Sequence, residues 1–87
     1  MAKSDNHLDL VVVVSGVPRA VQANAHEPLR NVVRDVLRDS GDAGRATEDF
    51  ELRTEDGRLL DLTGNGLGAG LKDGDTLFLN PRAGAGG

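Results

Sequence analysis

The sequence runs to 87 residues, with 38% apolar side chains and a formal net charge of −4, which suits one small domain around one two-layer core. It has no cysteine, so disulfides, thiolate metal sites and cysteine nucleophiles are excluded. Scattered basic residues argue against a nucleic-acid face, no Trp or Tyr and only two Phe argue against stacking platforms, and no apolar run is long enough to cross a bilayer.

Residues 1–7 are polar, lack a secretory apolar core, and are expected to form a flexible N-terminus. Residues 8–14 (LDLVVVV) are rich in β-branched side chains and read as a strand. Ser15–Gly16–Val17–Pro18 is turn chemistry, and the alternating run over residues 20–25 completes a predicted β-hairpin.

The period then changes. Leu29, Val32, Val33, Val36 and Leu37 fall at i, i+3, i+4, i+7 and i+8, one apolar helical stripe with Arg30, Arg34, Asp35, Arg38 and Asp39 opposite. Pro28 suits its first turn and Gly41 the position just past its end. A polar loop over residues 42–48 leads to an alternating strand, residues 50–54, then the tight turn Glu55–Asp56–Gly57 and a short strand over residues 59–62. Residues 63–70 (TGNGLGAG) read as irregular, with a single turn around Leu67 to Leu71. Asp73–Gly74–Asp75 turns the chain into a last strand, residues 76–80, which Pro81 is expected to end. The order β-β-α-β-β-β implies an α+β domain over residues 8–80, its helix laid across a mixed sheet, and a flexible tail over residues 81–87.

The helix segment LRNVVRDVLRDSG, with its Asn31–Val32 pair and closing Gly41, resembles the helix of ubiquitin. LKDGDTLFL resembles ubiquitin's approach to its last strand, with Leu71, Thr76, Leu77 and Leu79 at matching places, and the sequence closes on an arginine followed by Gly86–Gly87. The resemblance implies the β-grasp fold, a four- to five-stranded mixed sheet wrapped on one helix. It also implies a role as a substrate of other enzymes and not as an enzyme. In such modifiers a cognate ubiquitin-activating-like enzyme adenylates the terminal carboxylate, here that of Gly87. The chain itself needs no cofactor, since the activating enzyme uses the Mg-ATP. A target protein, a conjugating enzyme and a deconjugating protease are further implied partners.

Glycine suits that chemistry because a side chain near the terminus would obstruct a narrow channel, while glycine accepts whatever dihedrals the channel imposes. The tail departs from ubiquitin: Ala83, Gly84 and Ala85 replace the leucine- and arginine-rich approach, and Arg82 is the one basic handle. A cognate enzyme of its own specificity is therefore expected. Two alternatives use the same features: a sulfur carrier forming a terminal thiocarboxylate, and an interaction module whose diglycine is idle. A linker remnant would also read AGAGG.

Strand alternation places Leu10, Val12, Val14, Leu77 and Leu79 toward the helix and leaves Val11, Val13 and Phe78 on the open face of the sheet. The resemblance makes the first and last strands neighbours, so these three should cluster as a partner site, with Arg53 nearby. Arg53 and Asn80 stand where ubiquitin carries an exposed isoleucine and valine, so ubiquitin receptors should pass this chain by. Lys3 and Lys72 are its only lysines and the candidate points of chain attachment. His7 and His26 lack partners at ligand spacing, Asp73–Gly74–Asp75 lacks the rest of a calcium loop, and the glycine-rich stretch lacks a phosphate-loop pattern, so no metal or catalytic site is assigned. A bacterial, cytoplasmic monomer is expected.

Overall fold

The computed structural model describes residues 7–41 and 44–82. The valine-rich segment His7–Val14 forms the first strand, β1, so His7 belongs to the sheet and not to a flexible N-terminus. The chain reverses through Ser15 and Gly16, at φ 52° and 80°, into β2, Val17–Asn24. Two successive positive φ angles make a turn whose twist matches that of paired strands. The turn therefore needs only two residues, and Val17 and Pro18 join β2, which pairs antiparallel with β1 from Val14↔Val17 to His7↔Asn24. Pro18 is tolerated because β2 lies at the edge of the sheet.

The helix α1 spans Leu29–Asp39 and buries Leu29, Val32, Val33, Val36 and Leu37, the stripe predicted from its period. Its N-cap, Pro28, offers no side-chain acceptor. Instead the amides of Leu29 and Arg30 donate to the carbonyls of Gly64 and Leu62 at 2.8 and 3.0 Å, so the glycine-rich loop caps the helix. That duty also corrects the strand expected over residues 59–62. Only an isolated bridge, Arg53↔Leu59, survives there. Leu60 is drawn into the core, and Asp61 accepts from the amide and hydroxyl of Thr63, turning the chain away from the sheet toward the start of α1.

A 3-10 turn, Thr47–Asp49, precedes β3, Phe50–Thr54, and the final strand is β4, Thr76–Pro81. Pro81 pairs with Phe50, so it is the last strand residue, and the tail begins at Arg82. The four strands run in the order β2-β1-β4-β3, with β4 parallel to β1 and antiparallel to β3. The core lies between sheet and helix: Leu10, Val12, Val14, Leu52, Leu77 and Leu79 meet the stripe of α1. Burying each of these side chains contributes about 1.5–3 kcal/mol before the entropy of ordering the chain is counted.

Candidate functional site: the open face and the root of the tail

The parallel pairing of β1 with β4 assembles the open face. Val13 lies beside Phe78, and Phe78 beside Arg53; on the other side Val13 faces Pro18. A second row runs Ala20, Val11, Thr76. All four residues predicted for a partner surface, Val11, Val13, Phe78 and Arg53, thus share one face of three adjoining strands. Val11, Val13 and Phe78 are each partly covered by their cross-strand neighbours, whereas Val12, Leu77 and Leu79 on the opposite face are buried. Pro18, Ala20 and Thr76 extend the strip. The register of the two-residue hairpin would have found the first two.

Polar contacts frame the strip. On one side the Gln22 amide donates to the Asp9 carboxylate at 3.4 Å. On the other, Arg53 Nε bonds Glu51 at 2.9 Å and its Nη1 donates to the Gly57 carbonyl at 2.8 Å. Arg53 is therefore held along β3, with its guanidinium committed to neighbours on either side. Asn80 stands beside Glu51 at the end of the face.

The tail leaves at the far end of β4. The Arg82 amide donates to the Asp49 carbonyl at 2.8 Å, which extends the strand pairing one step and fixes where the tail starts. The Arg82 side chain is exposed beside a shallow hollow of about 410 Å³ lined by Glu48, Phe50, Glu51, Leu59 and Asp61 among others. Arg45 sits over the Phe50 ring at 5.0 Å on the same corner of the domain. Hydrogen bonds from the Thr63 hydroxyl and amide hold the Asp61 carboxyl below its ordinary pKa, so this rim stays negative. Leu59, 51% exposed, and the acids around Arg82 were absent from the sequence-derived site because residues 59–62 read as a strand.

Lys72 is exposed in the loop before β4, at the opposite end of that strand from Arg82. A six-residue strand separates them, about 20 Å. Lys3, Ala83, Gly84, Ala85, Gly86 and Gly87 lie outside the described residues. Asp73 accepts from the Asp9 amide at 2.8 Å and Asp75 from the Lys72 amide at 2.9 Å, so both aspartates serve the turn. Among the described residues no three His, Cys, Asp or Glu side chains gather as a metal site, and no helix is long and apolar enough to cross a membrane.

The model of the family described as Protein of Unknown function (DUF2604) matches residues 3–87. The chain belongs to this family. A relative, the uncharacterized protein y4jI of Sinorhizobium fredii (strain NBRC 101917 / NGR234), is 34% identical over 91 residues, covering 98% of this chain and 70% of that protein. Among solved structures, the ubiquitin of Caldiarchaeum subterraneum superposes with a TM-score of 0.71 at 22% identity, covering 87% of this chain and 94% of that one. The EccD5 ubiquitin-like domain from Mycobacterium xenopi does so with a TM-score of 0.63 at 24% identity, covering the same 87% and 94%. At such identities the likeness carries the fold alone, and the fold is the ubiquitin-like β-grasp. What the chain does has to be argued from its own residues.

Proposed function

We propose that the chain is a ubiquitin-like protein modifier. A cognate activating enzyme adenylates the Gly87 carboxylate with Mg-ATP and the chain is then joined through Gly87 to an amine of a target protein, in the cytoplasm. The observation that supports this most is the tail root. Arg82 is tied to the sheet through its amide while its side chain stays exposed, so the following segment, AGAGG, departs from a fixed point at the edge of the domain.

That arrangement suits a two-part recognition. The strip of Val11, Val13 and Phe78 docks the body, Arg82 is read at the tail root, and the small residues from Ala83 to Gly87 can thread a narrow channel. Docking is what makes the reactive end useful, because a carboxylate on an unanchored tail gains nothing from proximity. The domain contributes the carboxylate and the surface, and the enzyme contributes the catalysis. The polar setting of Arg53 and Asn80 separates this face from the one that ubiquitin receptors read.

The test is incubation of the protein in its own cell extract with Mg-ATP, followed by intact mass and gel analysis. Conjugates of higher mass that vanish when Gly87 is deleted support the modifier. Peptide mapping adds a signature: trypsin cleaves after Arg82, leaving Ala-Gly-Ala-Gly-Gly on the target lysine. A terminal exchange of oxygen for sulfur without conjugates would instead identify a sulfur carrier. Partner capture that survives deletion of Gly87, with neither product formed, would reduce the chain to an interaction module.

A further inference from the structure

The outer edge of β2 offers backbone groups at two positions that no other described residue engages. Asp9 and Val11 of β1 direct their main chain toward β4: the Val11 amide donates to the Asp75 carbonyl at 2.9 Å, and the Asp9 carbonyl accepts from Gly74 at 2.7 Å. Bonding direction alternates along a strand. Leu8, Leu10, Val12 and Val14 therefore bond β2, through Ala23, Val21, Arg19 and Val17. It follows that Pro18, Ala20, Gln22 and Asn24 point their main chain outward. Asn24 is already served, its amide by the Glu27 carboxylate and its carbonyl by the Glu27 amide, both at 3.2 Å. Pro18 has no N–H to give. Ala20 and Gln22 remain, both exposed, and among the described residues neither takes part in a backbone hydrogen bond outside the sheet ladder.

We propose that this edge pairs with the same edge of a second copy, antiparallel, about a two-fold axis at Val21. The register follows from the free groups. With Val21 opposite Val21 of the second copy, Ala20 faces Gln22 of the other chain, and each pair exchanges an N–H and a C=O in both directions. Pro18, without a donor, faces Asn24, whose groups are already engaged. Sliding by two residues in one direction sets a Gln22 carbonyl against the donorless Pro18; sliding in the other sets Ala20 against the occupied Asn24. The side chains agree with the centred register. Two partly buried valines meet at the axis, a favourable cross-strand pair. Arg19, the strand's one charged residue, lies opposite Ala23 and not opposite its own copy. Closed two-fold pairing uses up the open edge on both chains and limits the assembly to two.

The dimer does not depend on conjugation. It joins the open faces into one continuous surface and leaves both Arg82 roots at the ends of the β4 strands, away from the new seam, so it would present two docking strips side by side.

Sedimentation velocity on the full chain at rising concentration should show the mass moving from one copy toward two. Amide NMR shifts that change with concentration should centre on Ala20 and Gln22. Ala20→Pro removes one donor per chain, two in the dimer, and should weaken association by at least about tenfold. Should Ala20→Pro fail to fold, Val21→Lys places two ammonium groups across the axis and should weaken association comparably. A single copy at every concentration, concentration-dependent shifts confined to the Phe78 face, or an undiminished dimer in a folded Ala20→Pro or Val21→Lys protein would overturn the proposal.

Discussion

The two faces of one sheet are made from alternate residues of the same strands, yet they bear different burdens. On the helix side, Val12, Leu52 and Leu77 have no exposed surface, and every one of them touches the core. On the open side, Val11, Val13 and Phe78 keep part of their surface in water and touch mainly their cross-strand neighbours. Apolar residues occupy both sides, so hydrophobicity by itself does not distinguish a structural position from a recognition position. The difference is what lies above each face: a helix closes one, and among the described residues nothing closes the other.

The sharpest way to break this division is to truncate adjacent residues of β4. Leu77→Ala empties a site with no exposed surface and should cost about 2–5 kcal/mol, read as a fall in the unfolding midpoint in denaturant. Phe78→Asp, one residue on, should leave the protein folded with a stability loss nearer to about 1 kcal/mol, while activation by the cognate enzyme drops severalfold or more. Should Phe78→Asp unfold as readily as Leu77→Ala, the assignment of faces would be wrong.

Gly66→Ala probes the loop that closes the helix side. A Cβ there would lie 2.7 Å from Leu8 Cδ1, and because the obstruction is the tip of a side chain, the expected cost is about 1 kcal/mol, visible by thermal unfolding. Arg53→Ala tests the frame of the open side. Its bond to Glu51 is formed by a side chain 41% exposed, so the loss of stability should stay within about 0.5 kcal/mol, measured by the same unfolding curves.

The smallest effect concerns pH. The Thr54 hydroxyl bonded to Asp56, and the Thr63 hydroxyl bonded to Asp61, hold both carboxyls below 3.8 in the folded chain. A depressed folded-state pKa contributes stability above the unfolded value, and that contribution fades as pH falls through the lower, folded one. Asp61→Asn should therefore lower stability slightly at neutral pH, with the difference from the parent chain shrinking as pH falls through the acid limb, checked by urea titrations from neutral pH downward. Both carboxyls are fully exposed, so the slope they add is small.

Much of the fold was legible because it is local. The stripe from Leu29 to Leu37, the alternation along residues 8–14 and 76–80, and a chain reversal within Ser15–Pro18 each follow from the geometry of a few consecutive residues. The open-face cluster was legible at one remove: alternation chose the face, and the ubiquitin resemblance made β1 and β4 neighbours. Residues 59–62 misled for the opposite reason. Their pattern suits a strand, but the carbonyl of Leu62 is required by the start of α1, and that need arises only after the helix has docked.

Sequence alone determined which side chains share a face, because strand and helix periods are properties of the backbone that each residue carries with it. Tertiary structure decided what each face meets. It set β4 parallel beside β1, which brings Val13 to Phe78 across more than sixty residues of chain. It committed Arg53 to Glu51 and Gly57, tied the root of the tail to Asp49, and left the amides of Ala20 and Gln22 looking outward. Those outcomes depend on backbone hydrogen bonds, whose donors and acceptors are the same at almost every residue, so only their direction in the folded chain tells them apart.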